Sequence, residues 1–83
     1  MEKKVTDLIN SLFPEQSRDQ ALELVSRIKR KDVMGGSSEN LLKARVSVLE
    51  LSAGNIPDLQ DLIESARSDF RDVVYWNQSK KKT

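Results

Sequence analysis

Acidic residues are the side chains whose types and spacing in this sequence come closest to forming a chemical site. Asp58, Asp61 and Glu64 stand three residues apart, and Asp69 and Asp72 repeat that spacing. Paired carboxylates can transfer protons or hold Mg²⁺ or Ca²⁺, but such sites need converging ligands, and the spacing of an EF-hand loop is absent. Helix capping and solvation explain these acids more simply. We therefore predict no metal site and no catalytic carboxylate pair.

Neither histidine nor cysteine occurs in the chain. Their absence removes imidazole bases, thiolate nucleophiles, disulfides and the usual zinc ligands together. An enzyme would have to work with serine, lysine and carboxylates, and the sequence contains no nucleophile motif. The sequence thus predicts a protein that is not an enzyme and has no cofactor.

A dense basic cluster lies inside the predicted fold, at residues 27–31. Such clusters can bind phosphates, so weak nucleic-acid binding is the alternative function. The candidate phosphate contacts are Arg27, Lys29, Arg30 and Lys31. On a helix, however, acids placed four residues before bases favour ion pairing along the helix itself. That ladder would consist of Asp19, Glu23, Arg27 and Lys31.

Tyr75 and Trp76 stand out in a chain with only four aromatic residues. At about 100° per residue, they flank the apolar positions Phe70, Val73 and Val74 on opposite sides of a helix. Tyrosine and tryptophan are enriched at binding hot spots, so these two residues are the candidate partner surface. The alternative is that Trp76 packs against the first or second helix.

Arg45 falls between Leu41 and Leu49 on a helix face that is otherwise apolar. Burying a guanidinium without a partner is very costly. We predict a structural ion pair between Arg45 and either Asp69 or Asp72. In the alternative, the aliphatic stem of Arg45 carries the charge to solvent.

Apolar residues recur at spacings of three and four through almost every segment, which predicts helices. The first helix has an apolar stripe and ends near Pro14, which cannot easily continue it. That stripe consists of Met1, Val5, Leu8, Ile9 and Leu12. Ser17 is expected to cap the second helix, because Gln20 completes a capping-box pattern. The buried arc of the second helix consists of Ala21, Leu22, Leu24, Val25 and Ile28.

The third helix, near residues 38–53, is apolar in most directions and is therefore predicted to lie at the centre of the fold. A polar sector is shared by Lys43, Ser47 and Glu50. Several β-compatible residues leave a strand as the alternative for this segment. Asn55 is expected to cap a fourth helix, and Asp69 stands at the start of a short fifth helix.

The chain has 83 residues, of which 37% are hydrophobic, and a net charge of +1. A chain of this length can bury one small core. We predict an all-α fold, a compact orthogonal or bundle-like array of four to five short helices, in a single domain over residues 1–79. Residues 80–83 are predicted to be a disordered basic tail. With no apolar run long enough to span a membrane and no signal peptide, the expected location is cytoplasmic.

The second half of the chain carries a short motif. Its residues are Leu51, Gly54-Asn55, Leu59, Leu62-Ile63, Ala66 and the run Ser68-Asp69-Phe70-Arg71-Asp72-Val73-Val74. With this motif, residues 46–76 resemble the C-terminal half of small uncharacterised bacterial all-helical proteins, in which an acid, an aromatic, Arg-Asp and aliphatic residues open a final short helix. The resemblance implies a bacterial protein and carries no assigned activity.

These observations favour a non-enzymatic protein interaction or regulatory module that uses the surface around Tyr75 and Trp76. The expected partner is another protein, with nucleic acid as the alternative. Neither a membrane nor a small-molecule ligand is implied.

Overall fold

A computed structural model describes residues 1–81 as helices joined by short connections. Helix α1 spans Lys3–Leu12, α2 spans Glu15–Val25, α3 spans Ser38–Ser52, α4 spans Ile56–Ser68 and α5 spans Phe70–Lys81. Two short 3-10 turns, Arg30–Asp32 and Met34–Gly36, connect α2 to α3. Within these residues there is no strand, so the predicted all-α fold is confirmed and the strand alternative for the third segment is wrong.

Helix α3 lies at the centre of the fold, as predicted, because it packs against α1, α4 and α5. Its buried residues are Leu41, Ala44, Ser47, Val48, Leu49 and Ser52. The predicted polar sector is wrong at Ser47, whose exposed fraction is only 4%. Since the distance between packed helices depends on the side chains at the contact, small residues at positions 44, 47 and 52 allow the neighbouring helices to approach closely.

The rest of the core comes from the other four helices and from the connections on both sides of α2. These residues are Val5, Ile9, Phe13, Ala21, Leu24, Val25, Ile28, Val33, Leu59, Ile63, Ala66 and Val73. Two members of the predicted stripes lie outside the core, because Met1 and Leu22 are exposed. Among the described residues, every buried side-chain nitrogen and oxygen has a hydrogen-bond partner. The polar side-chain atoms inside the core therefore all form hydrogen bonds.

Helix α2 begins at Glu15, so the predicted start at Ser17 is wrong. Pro14 precedes the helix in an extended conformation, and its carbonyl accepts the first helical hydrogen bond from the Ser17 N–H at 2.8 Å. The fixed φ of proline suits this position, and its missing N–H costs nothing there. Arg18 then donates to the carbonyl of Asn10 at 3.0 Å, which caps the end of α1 from the first turns of α2.

Side-chain caps define the starts of α3 and α4. The Ser37 hydroxyl accepts a hydrogen bond from the Asn40 N–H at 3.3 Å. Asn55 Oδ1 accepts one from the Asp58 N–H at 2.9 Å, which confirms the predicted cap of the fourth helix. Each cap satisfies an N–H group that the first helical turn leaves without an internal partner.

Gly54 connects α3 to α4 where the chain passes against the end of α1. Its φ is 88°, and Ala53 before it also has a left-handed backbone with φ of 51°. A Cβ atom on Gly54 would overlap the carbonyl oxygen of Leu12. Glycine at this position therefore allows both the turn and the close contact with α1.

Helix α5 continues through Lys81, two residues into the segment 80–83 for which a disordered tail is predicted. Residues 82 and 83 of that segment lie outside the described residues. In residues 1–81, none of the helices has the combination of length and apolar character needed to cross a membrane.

We expect Gly54→Ala to lower the free energy of unfolding by about 2–4 kcal/mol, because the left-handed backbone and the overlap with Leu12 act together. Urea denaturation followed by far-UV circular dichroism measures this loss. The matched control is Gly35→Ala, where φ is also positive at 68° but nothing lies within 4 Å of the added Cβ. The control should lose about 1 kcal/mol. Equal losses in the two variants would show that the contact with α1 is unimportant.

Candidate functional site

Arg45 joins α3 to the segment after α2 and to the N-terminal residues. Its Nη2 and Nε donate to the Ile28 carbonyl at 2.7 and 3.3 Å. Its Nη1 lies 3.2 Å from Glu2 Oε1, in an ion pair where the Arg45 side chain is only 12% exposed. The predicted ion pair with Asp69 or Asp72 is therefore wrong.

Two polar side chains of α3 contact different neighbours, Arg45 the segment after α2 and Glu50 helix α5. Helix α5 reaches α3 at Glu50, whose Oε1 accepts a hydrogen bond from Asn77 Nδ2 at 2.8 Å. Arg45 lies more than one turn earlier and meets a carbonyl in the segment that follows the end of α2 at Val25. Hydrogen bonds from a charged donor are stronger than neutral ones, so this guanidinium stabilises the fold.

Asp69 pairs locally with Arg71 at the start of α5. Asp69 Oδ1 accepts from the Arg71 N–H at 3.1 Å and from Arg71 Nε at 3.0 Å. The side-chain hydrogen bonds from Arg71, followed by the backbone one, hold the pKa of Asp69 below its ordinary value. The same side-chain hydrogen bonds raise the pKa of Arg71. Asp69 therefore caps α5, and its charge is paired with Arg71 in the first turn of that helix.

The basic cluster at residues 27–31 divides into paired and unpaired members. Arg27 lies 3.0 Å from Glu23, and Arg30 donates to the Gly36 carbonyl at 3.3 Å. The ladder predicted to run from Asp19 to Lys31 is wrong beyond the pair of Glu23 with Arg27, because α2 ends at Val25. The candidate phosphate contacts Lys29, Arg30 and Lys31 are exposed on the connection that follows α2.

Both residues of the candidate partner surface are exposed. Tyr75 is 67% exposed and Trp76 is 45% exposed. Helix α5 packs against α3 and α4, and Trp76 lines grooves with residues of those helices, so the alternative in which Trp76 packs against the first or second helix is wrong. Tyr75 lines neither of these grooves. The structure therefore places Trp76 at a groove and Tyr75 on the outer face of α5.

Two shallow grooves meet at Trp76. One runs between α4 and α5, and its lining residues are Asp61, Glu64, Ser65, Ser68, Asp72 and Trp76. The other is lined by Leu51, Asp58, Asp61, Leu62 and Trp76. We call Trp76 together with the carboxylates of Asp58, Asp61, Glu64 and Asp72 the Trp76 surface. In the described part of the chain, no lysine or arginine lines either groove.

The four carboxylates of the Trp76 surface differ from most other acids of the protein. Within residues 1–81 they make no hydrogen bond and no ion pair. Five of the nine other acids form ion pairs: Glu2 with Arg45, Glu23 with Arg27, Asp32 with Arg67, Glu39 with Lys43 and Asp69 with Arg71. The Trp76 surface thus combines an exposed aromatic ring with carboxylates that form no ion pair within residues 1–81.

The sequence pattern indicates capping and solvation for these acids and does not connect them with Trp76. Two signals were present. Asp58, Asp61 and Glu64 share one face of α4 because they are three apart, and Asp72 and Trp76 share one face of α5 because they are four apart. The missing information was which face of α4 lies beside α5. Among the residues that the structure describes, no group of acids is arranged to hold a metal ion.

We expect Arg45→Met to lower the free energy of unfolding by about 1–3 kcal/mol, because the variant leaves the Ile28 carbonyl without its charged donor. Chemical denaturation checks this value. Arg27→Met is the matched control, since its exposed pair with Glu23 contributes about 0.5 kcal/mol or less. If the two variants were equally stable, the role of Arg45 in joining α3 to α2 would be refuted.

We expect Arg71→Met to raise the pKa of Asp69 part of the way to its ordinary value of 3.8, because the side-chain hydrogen bonds are lost while the one from the backbone N–H of residue 71 remains. A lowered pKa in the folded state stabilises the fold above the unfolded pKa, and this contribution disappears as the pH falls through the folded pKa. The variant should therefore lose less stability than the original protein as the pH falls below the ordinary aspartate value of 3.8. NMR titration of the carboxyl carbons measures the pKa directly, and an unchanged Asp69 value would contradict the assignment.

Comparison of the chain with protein-family models, with curated proteins and with solved structures gave no match. The resemblance of residues 46–76 to small bacterial helical proteins therefore stays a prediction. The chemistry and exposure of the Trp76 surface are the basis on which a function can be argued.

Proposed function

We propose that the protein is a non-enzymatic protein interaction module that binds a partner protein through the Trp76 surface, with Tyr75 on the adjoining outer face. The observation that carries this proposal is the exposure of both residues, 45% for Trp76 and 67% for Tyr75. Partner proteins commonly use tryptophan and tyrosine as anchors, because each offers a large apolar area together with a polar group.

The completeness of the core supports this proposal. The other two aromatic residues, Phe13 and Phe70, are buried or packed against the core, whereas Trp76 and Tyr75 are exposed. Val73 and Asn77 supply the buried face of α5. An exposed indole that the core does not need is available to a partner at little cost to folding.

The residue composition supports a role without catalysis. The sequence has no imidazole and no thiol, and the carboxylates of the Trp76 surface line open, shallow grooves. Catalytic carboxylates need an enclosed site that shifts the pKa of one group relative to another. We place this activity in the bacterial cytoplasm, where a chain without cysteine needs no oxidative folding.

Nucleic-acid binding is the second candidate function. It is supported by the exposure of Lys29, Arg30 and Lys31, none of which forms an ion pair with a carboxylate in the described residues. Salt separates the two functions, because binding to phosphates releases counterions and weakens steeply with added salt. Binding at the basic cluster would also be independent of Trp76.

We expect Trp76→Ala to abolish capture of the partner protein from an extract of the native organism while the fold persists. The free energy of unfolding should fall by about 1–3 kcal/mol, because Trp76 is 45% exposed and the fold covers the rest of the residue. Affinity capture with immobilised protein, quantified by mass spectrometry, provides the measurement. Met34→Ala is the control, since Met34 is an exposed apolar residue, 63% exposed, in the connection before α3. Capture that survives Trp76→Ala would refute the proposed function.

A further inference from the structure

We infer that the Trp76 surface binds an arginine-bearing basic segment of the partner, with a guanidinium stacked on the Trp76 indole and neighbouring basic groups paired with the four carboxylates. This inference rests on the proposed function and names the chemistry of the partner.

Charge is the first argument for a basic partner. The whole chain carries a net charge of +1, but the grooves beside Trp76 are lined by carboxylates and by no basic residue in the described part of the chain. Asp58, Asp61 and Glu64 follow one another on a single face of α4, and like charges at this spacing destabilise a helix. A basic segment would relieve this repulsion. Binding would therefore gain a favourable electrostatic free energy that is absent in the isolated protein.

The position of the indole is the second argument. Trp76 lines both grooves, so a side chain that stacks on its ring lies within reach of Asp61 and the neighbouring acids. A guanidinium is planar, stacks on aromatic faces and pairs with carboxylates in a fixed geometry. A lysine ammonium is more strongly hydrated and stacks less well, which favours arginine.

Other classes of ligand fit this surface poorly. A purely apolar partner would bury the carboxylates without neutralising them, which is costly. A phosphate-bearing partner would be repelled by the same charges. A lone divalent cation lacks a site, because no cluster of acids in residues 1–81 is arranged as a set of ligands. A basic protein segment satisfies both the ring and the charges.

The chain offers a closely matched control for the charge argument. The test variant is Asp61→Asn/Glu64→Gln/Asp72→Asn. The control variant is Asp7→Asn/Glu15→Gln/Asp19→Asn, which removes the same number of negative charges from exposed acids outside the Trp76 surface. Each set also contains one acid in the first turn of a helix, Asp72 in α5 and Glu15 in α2. The two variants therefore have the same net charge and a similar change in helix dipole interactions.

The probes are short oligo-arginine, oligo-lysine and oligo-glutamate peptides of equal length with blocked ends. Trp76 is the only tryptophan, so fluorescence excited at wavelengths beyond the absorption of tyrosine reports on this surface alone. We expect oligo-arginine to change the Trp76 fluorescence saturably, oligo-lysine to bind more weakly and oligo-glutamate to have no effect. The test variant should bind oligo-arginine about tenfold more weakly, and the control variant should stay within about twofold of the original protein.

Three results would overturn the inference. The first is equal weakening in the test and control variants, which would show that net charge alone attracts the peptide. The second is concentration-dependent self-association that the test variant abolishes, since a second copy of the chain, through its own basic cluster, would then be the occupant. The third is an affinity of the original protein for oligo-arginine that does not fall with added salt, because neutralised carboxylates must give a salt-dependent affinity. This measurement needs no variant.

The proposed function and this inference fail in different ways. If Trp76→Ala abolishes capture of the native partner but the Asp61→Asn/Glu64→Gln/Asp72→Asn variant captures it normally, the interaction surface is right and the basic partner is wrong. If Trp76→Ala leaves capture intact, the interaction surface itself is wrong. Loss of capture in both variants, with retention in the control, supports the two together.

Discussion

The enclosure of α3 by α1, α4 and α5 is the constraint on which the other features of this protein depend. In a chain of this size, one helix buried on several sides provides much of the apolar area available for a core. The small buried residues Ser47 and Ser52 allow close helix packing. The contact between Gly54 and Leu12 brings the end of α3 against the end of α1. Arg45 joins the middle of α3 to the segment after α2. The central helix is thus held by packing along its length and by specific polar or steric contacts at separate points.

This arrangement determines which side chains remain available at the surface. Helix α5 contributes Val73 and Asn77 to the buried side, so the directions occupied by Tyr75 and Trp76 lie outside the core. The acids of α4 face the groove beside Trp76 because Leu59 and Ile63 direct the opposite side of α4 inward. Exposure of the indole and exposure of the acids therefore have one cause, which is the way α4 and α5 bury their apolar faces against α3.

Sequence patterns were sufficient for the helical class and for the central position of α3, because apolar periodicity reports directly on burial. They failed at the start of α2, where a proline just before the helix replaced the expected serine cap. They also failed for the partner of Arg45, since a long side chain can reach several elements and only packing selects one. The sequence left two possibilities open for Trp76, exposure at a partner surface or packing against the first or second helix. The position of Trp76 beside the α4 acids depends on how α4 and α5 pack together, which the sequence pattern does not show. Local signals thus predicted the elements, whereas long-range contacts decided the site.

The acids of this protein fall into two groups. Those that form ion pairs contribute to the stability of the fold, and those around Trp76 are available for recognition of a partner. Acids such as Glu23 and Asp69 form ion pairs with arginines close in sequence, so their charge contributes to the stability of the fold. The carboxylates around Trp76 form no ion pair within residues 1–81, and their field extends into solvent, where it can steer an oppositely charged segment before contact. The indole then supplies short-range contact area that charge alone does not provide. Long-range charge and a short-range aromatic anchor act at different distances, and a partner must match both to be bound specifically.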